Sequence, residues 1–295
     1  MAEQTPSSVE FQKAVAAAWQ DANIAKKYAT AENATRPFCS TIVEKSGLAG
    51  VDSEAHVLDL ATGTGAAIKE LYDAVPREKW DNLKVLGADV SPAMLDYLRN
   101  RGAEAGWMGL ETQVIDGNTI DLPKSTYTHI FLSFAVFAMP DVLPRLFDLL
   151  KPGGFIGVTT WAYLAWHPLL ARSISRMSSE VYSPSFSDLE DKMFAGRRWG
   201  DTAYLTSRLV EAGFTKVDTV REKHVAGCGT PKEFVETMSF PLRFVAMFWD
   251  EEKRNEWSAE LSKLMLEEAI KTAGGEEEQV RLEFDGIIGW GWKNE

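Results

Sequence analysis

The sequence predicts an α/β protein whose doubly wound, mostly parallel sheet has helices on both faces and carries an added helical cap. Two observations support the sheet. Residues 54–161 alternate short apolar runs with helical periodicity, the pattern of parallel strands joined by crossover helices. Within that stretch, Val57-Leu58-Asp59-Leu60-Ala61-Thr62-Gly63-Thr64-Gly65 reads as a buried strand ending near an acid, a glycine turn and a helix start. A third observation supports the cap. Pro231 to Thr272 reads as two amphipathic helices between Gly229-Thr230-Pro231 and Gly274-Gly275, inserted before a last strand at Leu282 to Trp290.

The elements follow in order. Residues about 8 to 48 look helical, with apolar or aromatic side chains at Phe11, Val15, Trp19, Ile24 and Tyr28. After the first strand, a helix over Ala66 to Ala74 aims its free N–H groups and positive dipole end at the glycine turn, a nucleotide-like cofactor site. Leu83 to Asp89 is a second strand ending in a carboxylate, and Ser91 and Pro92 stand as N-cap and first position of the next helix. An acid at that strand tip can accept both hydrogen bonds of a ribose diol. Gln113-Val114-Ile115-Asp116-Gly117-Asn118 is a third apolar run followed by a turn. Tyr127 to Phe134 is a fourth, and Leu149-Leu150-Lys151-Pro152-Gly153-Gly154-Phe155 closes a helix and opens a fifth strand. A helix near Thr202 to Ala212 and a strand near Lys216 to Arg221 resume the alternation.

A nicotinamide or flavin dinucleotide is disfavoured by spacing. Its fingerprint needs three glycines, G-x-G-x-x-G, and counting from Gly63 the third place is Ile68. The pattern from Val57 to Gly65 instead resembles motif I of the class I methyltransferases that use S-adenosylmethionine (SAM), with Asp59 at the family's acidic position and Ala61 where its first glycine usually stands. The runs at Asp89, Asp116, Tyr127 to Phe134 and Leu-Lys-Pro-Gly-Gly extend the likeness over residues 57–161. It implies a seven-stranded Rossmann-like sheet with an antiparallel seventh strand, and SAM as cofactor. It also implies that Asp89 binds the ribose, flanked by Val90 and Met94, that Asp116 accepts from the adenine amino group with Gly117 beside the ring, and that Ser133 lies at the edge facing the sulfonium.

Tyr127-Thr128-His129, Met139-Pro140-Asp141, Thr159-Thr160-Trp161 and Trp166-His167-Pro168 narrow the resemblance to fungal natural-product methyltransferases, among them the gliotoxin-type thiol S-methyltransferases. That group would place Tyr28 over the methionine end of SAM, a phenol against the carboxylate and sulfonium. Packing of the same tyrosine on the core is the alternative. Trp19, Phe134, Trp161, Trp166 and His167 are the expected wall of an acceptor pocket.

The expected organisation is an N-terminal helical lid (1–48), a SAM-binding core (49–161), a cap segment (162–200), a core helix with the sixth strand (201–228), a helical insertion (229–275) and the last strand (276–295). The insertion opens the usual hairpin of sixth and seventh strands and roofs the site, unless it only thickens the core or makes a dimer contact. At 295 residues and 45% hydrophobic content the chain can bury a large core. A net charge of −12 argues against nucleic-acid partners, whose phosphates need clustered Lys and Arg. Isolated Cys39 and Cys228 suggest neither disulfides nor a metal site. A polar Met1 to Glu10 and the lack of a spanning apolar run point to a cytoplasmic protein with no membrane partner.

The implied reaction moves a methyl group from a positive sulfur in line to a sulfur, oxygen or nitrogen of a small, largely apolar molecule. Charge disappears in that step, so positioning and desolvation supply much of the rate. A thiol, with pKa near ~8.5, needs a base less than a phenol near ~10. No catalytic base is assigned. His167 is the one histidine expected near the pocket, as wall or as base; His129 reads as structural, His56 lies at the far strand end, and His224 falls past the sixth strand. A SAM-binding protein of this fold that does not methylate, a pericyclase-like enzyme or a regulator, is the other reading.

Overall fold

The structure, a computed structural model, describes residues 24–139 and 141–294. Seven strands form one sheet: β1 (Ala55–Leu60), β2 (Leu83–Asp89), β3 (Leu110–Val114), β4 (Tyr127–Ser133), β5 (Leu150–Tyr163), β6 (Thr215–Gly227) and β7 (Arg281–Trp292). Their spatial order is β3-β2-β1-β4-β5-β7-β6. Only β7 runs antiparallel to its neighbours. The order reverses between β1 and β4, which opens a crevice at the carboxyl ends of those strands, where open α/β sheets hold ligands.

Period-two alternation sorts the core onto two faces. From β1, β4 and β5, Val57, Phe131 and Phe155 point to one face, while Leu58, Leu60, Ile130, Leu132, Ile156 and Val158 point to the other. The first face is covered by α1 (Ile24–Ser46) and α2 (Ala66–Ala74), which contribute Phe38, Ile42, Ile68 and Leu71. The second is covered by α4 (Val142–Leu149) and α7 (Thr202–Glu211), through Leu143, Leu146, Leu205 and Leu209. The helix α3 (Pro92–Ala105) connects β2 to β3. The carboxyl-terminal half of α1 is thus core rather than lid: its Phe38 is fully buried and lies edge-on to Phe134, Trp161 and His224.

Of the remaining helices, α5 (His167–Ile174), α6 (Phe186–Met193), α8 (Pro231–Ala246) and α9 (Arg254–Ala273), α8 and the end of α6 reach the cavity that the carboxyl ends of the strands line. α8 starts on a capping box in which the Thr230 hydroxyl accepts from the Glu233 N–H while Glu233 accepts from Thr230, with Pro231 at the first turn. α9 is fastened to α5 and the turn after it by the buried Glu268, which accepts from Arg172 at 3.2 Å and Arg176 at 3.1 Å. Both inserted helices lie between β6 and β7, so the strands of that hairpin pair along their length although their connection is long.

Three local expectations need correction. β6 extends to Gly227, well past Arg221, because its outer edge faces water and alternates exposed with half-buried residues instead of showing an apolar run. His224 consequently lies inside β6, paired with Phe284 and hydrogen-bonded to Glu222 at 2.8 Å. Ser91 does occupy the N-cap of α3, but its buried hydroxyl has no hydrogen-bond partner; its N–H donates to Asp89 instead. Among the described residues no helix is long and apolar enough to cross a membrane.

Candidate active site

The glycine turn sits where β1 gives way to α2. Gly65 adopts φ +89° and caps α2, and a Cβ there would lie 2.5 Å from Leu98 Cδ1 of α3. Its smallness therefore serves helix–helix approach. Gly63, at φ +53°, has open space around it and lies on the cavity wall. Its N–H donates to Asp89 Oδ2 at 2.9 Å, and the Ser91 N–H donates to Asp89 Oδ1 at 2.9 Å. These backbone donors, joined by the Val90 N–H, fix the carboxylate's orientation at the cavity wall. Burial pushes the Asp89 carboxyl up, against the pull of those N–H groups.

Asp59 lies deeper. It is 1% exposed; one oxygen accepts from the Thr62 hydroxyl at 2.6 Å, and the other, Oδ1, has no partner. Burial, reinforced by the charge of Asp89, pushes its carboxyl up to about 7. An orphaned buried carboxylate oxygen is costly unless a donor or cation arrives to meet it. Asp116 caps the short turn Gly117–Thr119 by accepting from the Asn118 N–H at 2.8 Å. Beside it, a Cβ on Gly117 would overlap Met139 Sδ at 1.8 Å, so any larger residue would have to push the Met139 side chain aside.

These groups open onto a single cavity of about 550 Å³, a size suited to a small ligand pair. Tyr28, Asp59, Ala61, Gly63, Asp89, Val90, Asp116, Gly117 and Ser133 all reach its wall, as do Phe134, Trp161 and Trp166. Gly65 and Met94 do not. Met94 is fully buried behind the wall, packed with Ala25, Tyr28 and Phe240. Nor does His167, whose Nε2 meets the Pro184 carbonyl at 3.1 Å in a contact that ties the start of α5 to the loop before α6. Trp19 lies outside the described residues. His129 is half-buried and held neutral, its pKa lowered by desolvation to about 4.

The far half of the cavity is aromatic. Phe134 stacks on Trp161 with ring centroids 3.9 Å apart and takes φ +53°, a strained value for a non-glycine residue. Its N–H is held by the carbonyl and hydroxyl oxygens of Thr159 at 3.0 and 3.1 Å. α8 closes this half with Phe234, Met238 and Pro241 at i, i+4 and i+7, joined by Phe240 and Phe244. The helix and its amphipathic character are legible in the sequence, but these wall positions were not singled out, although their helical spacing marks one face. Tyr28, near the start of α1, has its phenol pushed up to about 12, mainly by burial and further by negative neighbours including Asp89 and Glu32. Among the described residues, the wall contains no His, Lys, Arg or Glu.

Comparison with known proteins agrees with this geometry. The methyltransferase-domain family matches residues 57–154. Methyltransferase ktnA of Aspergillus niger is 26% identical over 266 residues, covering 82% of this chain and 86% of its own. Methyltransferase tpcH of Aspergillus fumigatus is 25% identical, covering 84% and 89%. The acetylaranotin bis-thiomethyltransferase of Aspergillus terreus is 25% identical, covering 78% and 80%. The chain is a class I SAM-dependent methyltransferase. The fold of this methyltransferase is also that of a solved Haemonchus contortus phosphoethanolamine N-methyltransferase 2 in complex with SAM, at TM-score 0.50 and 14% identity over 86% of this chain and 52% of the other.

Proposed function

We propose that this methyltransferase transfers the methyl group of SAM to a heteroatom of a small, largely apolar natural-product-type molecule, by in-line displacement and without a histidine or lysine base. The wall's composition carries the reading. Two buried acids and a close-packed glycine turn line one half, and stacked aromatics line the other. The donor set fits SAM: the unmet Asp59 Oδ1 suits the methionine ammonium, the braced Asp89 carboxylate suits the ribose diol, and Asp116 with Gly117 suits the adenine. Bound SAM supplies an electrophilic methyl group on a positive sulfur.

The chain's own contribution is to hold and to dry. Phe134 and Trp161 present π faces to cationic and aromatic groups, which compensates a positive charge without a counter-ion. α8 and the β5–α5 junction shield the acceptor side from water, so the disappearing charge is not stabilised in the ground state by solvent. The side chains that could take a proton there are poor bases. Burial holds the Cys228 thiol up at about 11, and Tyr163 is a phenol. An acceptor that ionises by itself, a thiol or an acidic phenol, suits such a pocket. One relative is named an acetylaranotin bis-thiomethyltransferase, which favours sulfur.

A methyl-transfer screen over thiols, phenols and amines tests this, with S-adenosylhomocysteine formation as the readout. Turnover should be found among thiols or acidic phenols, with log kcat/KM breaking at each acceptor's own pKa. SAM binding with no turnover across a broad acceptor set would favour the non-methylating reading, and a break at one pH common to all acceptors would reveal an enzyme base.

A further inference from the structure

The glycine turn is gripped from outside the cavity by a buried network. Glu32, on α1 and 5% exposed, accepts from the Thr64 hydroxyl at 2.7 Å and from both terminal nitrogens of Arg101, on α3, at 2.7 and 3.0 Å. Arg101 also donates to the Thr64 carbonyl at 3.0 Å, so the residue between the two glycines is held by side chain and backbone together. Bidentate, charge-assisted bonds of this kind are geometrically strict. Glu32 stands one helical turn after Tyr28, and Ala31 and Thr35 beside it reach the cavity wall.

The other side of the same helical turn faces the roof. The Asn33 amide donates to the Gly227 carbonyl at the end of β6, at 3.3 Å. A Cβ on Gly229, two residues before α8, would lie 3.2 Å from the Thr30 methyl. One turn of α1 therefore touches the cofactor loop on one side and the root of the acceptor roof on the other.

We propose that Glu32, through Arg101 and Thr64, is a positioning residue that locks α1 to the glycine turn, so that filling the cofactor half sets the place of Tyr28 and of the roof. The proposal rests on Tyr28 covering the cofactor, and its test separates the two ideas. Glu32→Gln keeps the shape and an acceptor for Thr64 but removes the charge that holds Arg101. SAM affinity should fall about tenfold or more, as for a lost charge-assisted hydrogen bond. Tyr28→Ala should weaken SAM as well, and the double variant should bind no more weakly than the worse single one, because both changes break one device. In the parent protein SAM should slow amide exchange over residues 24–35, and Glu32→Gln should abolish that slowing.

Additive losses, or SAM-induced protection unchanged in Glu32→Gln, would overturn the lock. If Tyr28→Ala binds SAM normally while Glu32→Gln loses both affinity and protection, the lock stands and the reading of Tyr28 fails. Thr64→Val, which deletes a single donor to Glu32, provides the same readouts if Glu32→Gln does not fold; it should lose part of the protection, and full protection there would count against the lock.

Discussion

Asp59→Asn should make this enzyme more stable and less able to bind its cofactor. The carboxyl is buried, has one unmet oxygen and is raised from 3.8 to about 7, first by desolvation and then by Asp89. A group whose folded pKa is raised favours folding below its unfolded pKa and loses that contribution as pH climbs through its folded pKa. Ionised Asp59 at pH 8 therefore costs the folded protein about 4 kcal/mol, the roughly three-unit shift at ~1.4 kcal/mol per unit. Asparagine retains an acceptor for the Thr62 hydroxyl and carries no charge, so the ligand-free variant should melt several degrees higher at pH 8, with the gain shrinking toward pH 5. SAM binding should run the other way. If an ammonium meets the ionised carboxylate, parent affinity should fall about tenfold from pH 8 to pH 6, and binding at pH 7 should release about half a proton per SAM. Calorimetry in buffers of different ionisation enthalpy reads that proton directly. Affinity flat from pH 6 to 8, or a variant that melts below the parent at pH 8, would refute the assignment of a cation to this oxygen.

Other substitutions sort the wall from its supports. Asp89→Ala should weaken SAM binding by about 1.5–3 kcal/mol in a folded protein, measured by titration calorimetry. Gly63→Val and Gly65→Val should differ in kind. The former stands in open space and should mainly cost SAM affinity, whereas the latter meets Leu98 at 2.5 Å and should lower stability by about 1–3 kcal/mol, read by denaturant unfolding. His167→Ala should cost about 1 kcal/mol of stability for its contact with Pro184 and leave methyl transfer and its pH profile in place. A changed profile there would restore His167 as a base.

That Asp59, Gly63, Asp89 and Asp116 share one cavity wall was legible because the pattern is written locally. Asp59, Gly63, Asp89 and Asp116 each sit at a strand tip or in the turn after one, and an apolar run followed by an acid or glycine is a pattern within a few residues. Gly65 was legible as a small residue but not in purpose, since Leu98, which forbids its Cβ, lies thirty-odd positions away. Met94 fails for the same reason. Its place at the start of α3 is readable, but the layer of Tyr28 and Phe240 between it and the cavity is tertiary. The network of Glu32, Thr64 and Arg101 joins three elements by single polar residues, each of which reads alone as a solvated helix or turn residue. His224 was misplaced because β6, a half-exposed edge strand, lacks the apolar run that betrays a buried one.

Strain and unmet charge gather at one place in this fold. Ala61 and Phe134 take left-handed φ values of +55° and +53°, at the ends of β1 and β4 on either side of the point where strand order reverses. Asp59, with its unmet oxygen, lies on the same rim. Each feature costs stability in the isolated protein, and the strained turns are held by specific bonds: Thr159 pins Phe134, and Glu32 with Arg101 pins the turn after Ala61. A fold relaxed for its own sake would put glycine at 61 and 134 and a neutral residue at 59. Costly groups gather at this rim, where the cation of the proposed function would repay them, so on that reading stability should follow cofactor occupancy. Binding should accordingly stabilise this protein through relief of Asp59 as well as through mass action, and the relief should vanish with the charge.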